Sequence, residues 1–232
     1  MLQIIGLLVI SWLIVWIFMK NNLSVLGLTP NKERLKLVLI LFIFTAICCA
    51  TTYLLKIYFA KEQYILNAKL TINLFFAGVW ITLSGVLTEE LLCRGVLLYI
   101  LIKKIGAKWA ILLSSVVFGL LHWRNNGVFG NIIQMSVIFA FTFGMGLLLA
   151  YSYAKTYSIL IPTAIHFGWN LTQNFIFPDG PEGNHIFVLA GTPPIVTVSY
   201  FVFFLLILFP KVSAIGLDYI IIKKQKQIEF PK

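Results

Sequence analysis

The chain has 232 residues, of which 60% are hydrophobic and 11% charged, with 18 Lys and Arg against 8 Asp and Glu. An ordinary soluble domain is about 45–50% apolar and about 25% charged, so there are too few charges here to clothe a water-soluble surface. A soluble enzyme, a disordered tail and a nucleic-acid-binding domain are thereby excluded. The basic residues fall in short runs between apolar stretches and form no patch, so no nucleic-acid partner is expected.

A spanning helix takes roughly 20 apolar residues. The expected fold is therefore all-α: a polytopic transmembrane helical bundle of about seven spans (six to eight), forming one integral-membrane domain over residues 1–232. The first span is Leu2–Met19. It has no preceding positive charge and no small-residue cleavage site, and reads as an anchor with its N-terminus outside. A polar stretch with Pro30, Lys32, Glu33, Arg34 and Lys36 leads to the second span, Leu37–Ala60. After the polar link Lys61–Lys69, an uninterrupted apolar segment runs from Leu70 to Ile102. As one helix it would be about 50 Å long, more than the roughly 30 Å hydrocarbon core, so it either tilts and projects or breaks near Ser84–Gly85. Three further spans are expected at Trp109–Trp123, Ile132–Ala154 and Tyr157–Phe177. An acidic loop with Asp179, Pro181 and Glu182 follows, then a last span, Ile195–Leu208, ended by Pro210. Residues 211–232 read as a basic tail on the membrane surface. With this topology, 13 Lys and Arg lie on the inner side and 4 on the outer, with Arg94 inside a span.

Several polar residues interrupt the apolar runs. Glu89, Glu90 and Arg94 lie in VLTEELLCRGVLLYI, His122 ends FGLLH, and His166 and Asn170 lie in IPTAIHFGWNL. Ionisable groups in hydrocarbon are expensive and call for a function or a partner. Glu90 and Arg94 are four residues apart, on one helix face, and can pair. Glu89 points about 100° away and has no local cation. His166 and Asn170 also share a face and could serve as helix–helix hydrogen bonds. The third histidine, His185, belongs to the outer loop and reads as solvated. Cys48, Cys49 and Cys93 read as small packing residues, since no CxxC or Cys/His zinc spacing occurs.

The depths of these groups agree. Glu89 and His122 are each 16.5 residues from the centre of the basic turn between Lys103 and Lys108, so in an antiparallel hairpin they lie level, roughly 25 Å from that turn. His166 and Asn170 rise roughly 16 and 22 Å from Lys155 on the same side. Gly85, Ser115, Gly119 and Gly168 would let these helices approach closely. A carboxylate beside a histidine can take a proton from water and hand it to a leaving amine. An amide and a second imidazole can stabilise an oxyanion. The same groups offer a second chemistry, in which Glu89, His122 and His166 hold a catalytic Zn²⁺ with an open position. Arg94→Ala is expected to damage folding more than Glu90→Ala, because an orphaned arginine could snorkel to the interface.

This constellation resembles the CPBP family, which includes the CAAX proteases and the bacteriocin-processing, Abi-type membrane proteins. That family is marked by Glu-Glu-x-x-x-Arg, Phe-x-x-x-His and His-x-x-x-Asn. Glu89, Glu90 and Arg94 match the first motif, Phe118 and His122 the second, His166 and Asn170 the third. The motif-bearing core covers residues 70–178. The resemblance implies an intramembrane endopeptidase with six functional residues: Glu89, helped by His122, activates water; His166 and Asn170 bind the oxyanion; Arg94 holds Glu90. It implies a peptide or protein substrate in or at the bilayer, lipidated or secreted, and is compatible with a metal-free glutamate mechanism requiring no cofactor. The alternative is a bacteriocin-immunity or scaffold protein that binds a partner without catalysis. The Ile-, Lys- and Asn-rich composition suggests a bacterial cell membrane.

Overall fold

Local sequence sets most helix starts. Asn31, Thr71, Asn131 and Ser199 each turn a side-chain oxygen onto a backbone N–H of the first helical turn, opening α2 (Lys32–Phe59), α3 (Ile72–Arg94), α6 (Ile132–Thr156) and α8 (Tyr200–Lys223). The remaining helices are α1 (Leu2–Met19), α4 (Val96–Ile105), α5 (Ala107–Asn125) and α7 (Leu160–Leu171), the last continued by a single π turn, Thr172–Ile176. The computed structural model describes residues 2–29, 31–125, 127–177 and 185–227. Pro30, the acidic-loop residues Asp179, Pro181 and Glu182, and residues 228–232 of the tail lie outside the described residues.

The protein is an all-α helical bundle. Among the described residues four helices, α1, α2 (with Ala60), α6 and α8, are long and apolar enough to cross a membrane. Their outward faces carry Trp12, Trp16, Ile47, Ile133 and Phe201 exposed, as helices meeting lipid require. One buried cluster joins α1, the short 3₁₀ turn Leu23–Leu26, α4 and the end of α6 around Val15, Leu26, Tyr99 and Tyr153. The other joins α2, α5, α6, α7 and α8 around Leu41, Phe118, Leu149, Ile165 and Ile222. The only strands among the described residues, β1 (Tyr64–Leu66) and β2 (Phe187–Leu189), pair antiparallel with Ile65 opposite Val188. Beside them, Phe177 stacks between Tyr53 and Phe187.

The long apolar segment breaks at Gly95, not at Ser84–Gly85. A Cβ at Gly95 would lie 2.2 Å from the Leu91 carbonyl oxygen, so the sharp exit from α3 needs glycine there. Around Ser84–Gly85 the helix runs on. Ser84 donates its hydroxyl to the Ile81 carbonyl and Thr88 donates to the Ser84 carbonyl, keeping these polar groups inside the helix's own ladder.

Pro210 does not end the last helix either. It lies inside α8, and residues 211–223, expected as the start of a surface tail, are helical, with Ala214, Asp218 and Ile222 buried. Neighbouring helices allow a proline within a membrane helix because they help satisfy the freed backbone groups. Here α8 is pinned to α2 by the Thr45 hydroxyl, which lies 2.6 Å from Asp218 Oδ2.

Three of the four small residues expected at helix crossings sit at close approaches. Ser115 faces Gly146, Gly119 faces the Phe139 ring, and Gly168 faces the Phe42 carbonyl, whereas Gly85 opens onto a cavity. A Cβ at Gly168 would come within 2.5 Å of Phe42 O, a backbone atom that cannot swing aside. Gly168→Val is therefore expected to separate α7 from α2 and cost about 1–3 kcal/mol. A fall of several degrees in the melting temperature of detergent-purified protein checks it; an unchanged melting temperature contradicts the packing.

Candidate active site

Adjacent carboxylates on α3 go to different environments. Glu90 and Arg94, one helical turn apart, are both fully buried and pair at 3.1 Å. The guanidinium lies 3.9 Å from the centroid of the Phe118 ring, a cation–π contact across to α5, and one of its N–H groups reaches toward the Gly146 carbonyl on α6. Glu90 Oε1 also meets His166 Nδ1 of α7 at 2.8 Å. One carboxylate oxygen thus ties α3 to its own arginine and to the histidine of a neighbouring helix. The sequence assigned Glu90 to Arg94 alone; the contact with His166 is tertiary and has no signal in the local spacing.

These bonds fix ring tautomers. A carboxylate accepts, so His166 Nδ1 carries the hydrogen and Nε2 is a lone pair in the neutral ring. That Nε2 lies 3.1 Å from Asn170 Nδ2 and 3.8 Å from Glu89 Oε2. His122 is set in the same way: its Nδ1 donates to the Phe118 carbonyl at 2.8 Å, one turn back on α5, leaving Nε2 directed at Glu89 Oε2, 3.9 Å away. Phe118 supports the group from beneath, with ring centroids 4.4 Å from His122 and 5.7 Å from His166. The sequence supplied Phe118 as a motif letter. The structure shows it touching Arg94 and both imidazoles.

Glu89 is the solvent-facing member, with a side chain 31% exposed. Its Oε2 has no hydrogen-bond partner among the described residues. Both distances to the imidazoles exceed direct hydrogen-bond range. Glu89 lies where three cavities meet. One, about 540 Å³, opens between α1, α3 and α5. A second, about 500 Å³, lies between α5, α6, α7 and α8 and is lined by His122, His166 and Asn170. The third, about 380 Å³, is lined by Gly78, Asn174 and His185 among others. His185, expected as a solvated loop residue, is therefore half-buried beside the site. Glu90 and Arg94 line none of these three cavities.

The six residues singled out in the sequence, Glu89, Glu90, Arg94, His122, His166 and Asn170, thus form one connected group on α3, α5 and α7. As a zinc set, Glu89, His122 and His166 fit poorly. Among the described residues no three His, Cys, Asp or Glu side chains are grouped to hold a metal ion. His166 Nε2, the nitrogen a metal would need, faces the Asn170 amide. The three cysteines are buried thiols, with Cys93 accepting at its carbonyl from Ser114 of α5.

Residues 71–172 match the family described as type II CAAX prenyl endopeptidase Rce1-like. No curated protein and no solved structure matches the chain.

Proposed function

We propose that this chain, whose residues 71–172 match the family of Rce1-like type II CAAX prenyl endopeptidases, is an intramembrane protease in which Glu89 activates the hydrolytic water. The observation that carries this reading is the position of Glu89, a residue that lines three cavities and whose Oε2 is set between the Nε2 atoms of His122 and His166 at 3.9 and 3.8 Å. A water held by Glu89 gives it a proton, and the resulting hydroxide adds to the scissile carbonyl carbon. His122 Nε2, an acceptor in the tautomer held by Phe118, lies where it can take a proton and pass it to the departing nitrogen. The C–N bond then breaks, leaving a carboxylate on one fragment and an amine on the other. The Asn170 amide is the donor available for the oxyanion. His166 joins it only as an imidazolium, because its neutral form presents a lone pair at Nε2. Glu90 and Arg94 position His166 from the buried side. No step here runs through a metal.

The substrate class that suits a site inside an apolar bundle is a membrane-associated or lipidated peptide. The test is cleavage of a prenylated peptide by purified protein in detergent or vesicles, with both fragments identified by mass. His122→Ala is expected to slow cleavage about 10²–10⁴-fold, and Asn170→Ala about 10²–10³-fold, with melting temperatures close to wild type. Wild-type rates in both variants would overturn the assignment. Prolonged chelation followed by elemental analysis is expected to leave activity unchanged. Stoichiometric zinc whose removal abolishes activity and whose return restores it would replace this mechanism with a metal-dependent one.

A further inference from the structure

A cavity of a different kind lies away from Glu89, at one end of the bundle. It holds about 430 Å³ and is walled by the start of α2, the end of α6, the start of α7 and the residues just beyond α8. The apolar spans of α2, α6 and α8 begin at Lys32 and end at Thr156 and Lys223. The cavity therefore sits where three helices leave the hydrocarbon, at the level of lipid headgroups. Its wall has two parts. Leu37 and Ile161 are buried and apolar. Arg34, Lys224 and Lys226 supply three cations, against the single carboxylate of Glu33.

The helix dipole accounts for only some of this charge. Cations beside the C-terminus of α8 are favoured by it. Arg34 stands instead in the first turn of α2, the positive end, where the dipole disfavours a cation. The guanidinium is also held in place. Its Nη1 donates to the Gly27 carbonyl at 2.9 Å and to the Thr29 carbonyl. Two neutral carbonyls fix the group without neutralising it, and Nε and Nη2 keep the planar fork that suits phosphate. The lysines are brought to the same place by the chain beyond α8. The Gln225 backbone N–H donates to the Ile222 carbonyl, and Gln227 Nε2 donates to the Ala154 carbonyl of α6 at 2.9 Å.

We propose that this cavity binds the phosphate headgroup of one anionic membrane lipid, with Arg34, Lys224 and Lys226 around the phosphate and the glycerol end of the lipid against Leu37 and Ile161. Basic pockets between membrane helices suit such headgroups. The apolar part of the wall and the position at the ends of three spans select a lipid over a free phosphate ion. The site shares no residue with the Glu89 group and does not depend on the proteolytic reading. Because its wall is drawn from α2, α6, α7 and the end of α8, an occupant ties four helices together and stabilises the folded chain by mass action.

The test is native mass spectrometry of the full chain, titrated in detergent with dioleoyl-phosphatidylglycerol or dioleoyl-phosphatidylcholine, beside a melting curve for each mixture. A basic residue at the membrane surface is worth about fivefold in affinity, so a net of two charges should make the first phosphatidylglycerol bind roughly 30-fold more tightly than phosphatidylcholine. Phosphatidylglycerol should also raise the melting temperature. Lys224→Gln/Lys226→Gln should remove most of the preference. Lys104→Gln/Lys108→Gln, which deletes as many charges from the turn between α4 and α5, should keep it. Glu33→Gln should strengthen it about fivefold, a gain that no damaged fold can imitate. Equal binding of the two lipids by wild-type protein would overturn the proposal. So would an equal loss in the two lysine pairs, which would mark diffuse attraction to the surface. Inorganic phosphate at the same concentration should leave the melting temperature unchanged; protection equal to that from phosphatidylglycerol would make this a free-phosphate site and overturn the lipid assignment.

Discussion

Glu89→Ala and Glu89→Gln are expected to reduce peptide cleavage by about 10²–10⁴-fold, the usual cost of losing a general base, while leaving the protein folded. The expectation of intact folding follows from geometry. Glu89 is partly exposed, faces open cavities, and its Oε2 holds no hydrogen bond among the described residues, so its removal orphans nothing. The amide of Gln preserves the shape and cannot take the proton, so Glu89→Gln separates chemistry from packing. The measurement is single-turnover cleavage beside a melting curve for each variant. Wild-type turnover in Glu89→Gln would remove Glu89 as the base, and a collapsed melting curve would show the residue to be structural.

The neighbouring carboxylate should behave in the opposite way. Glu90→Ala and Arg94→Ala are each expected to destabilise the fold by about 3–5 kcal/mol, because each leaves a buried charge without its partner. The sequence suggested that Arg94→Ala would be the worse, since an orphaned arginine could reach the interface. The structure removes that escape. Arg94 is fully buried, its guanidinium lies against the Phe118 ring, and one N–H reaches toward the Gly146 carbonyl. The two losses should therefore be similar. The double variant Glu90→Ala/Arg94→Ala should be more stable than the sum of the single losses predicts, because it removes both charges together. Thermal melts of the four proteins measure the coupling, and strict additivity would contradict the pair.

Much of this arrangement was legible in the sequence because apolar length and intramembrane charge are coarse signals. Runs such as Leu2–Met19 and Ile132–Ala154 have nowhere to go but into helices, and the structure gives Leu2–Met19 and Ile132–Thr156. Glu89 and His122 could be levelled by counting residues from the basic turn, since helical rise is constant. The break in the long segment was not legible. Gly85 and Gly95 look alike as letters, and the difference lies in a Cβ clash with Leu91 O and in hydroxyls satisfied within α3. Reading Pro210 as a stop hid Asp218, whose partner Thr45 lies on α2. The hydrogen bond from His166 to Glu90 spans 76 positions and is set by how α7 packs on α3.

The meeting of three cavities at Glu89 has a kinetic consequence. A blind-ended site must release its products through the doorway that admitted the substrate, so each turnover waits for the slower fragment. A three-way junction separates the traffic. With Glu89 as the proposed base, the fragment carrying the new carboxylate and the fragment carrying the new amine could leave by different cavities, with the third left for the next water. Departure of one fragment then does not depend on departure of the other. Added singly, the two fragments should inhibit with different patterns, since each can reoccupy its own branch while leaving the other open.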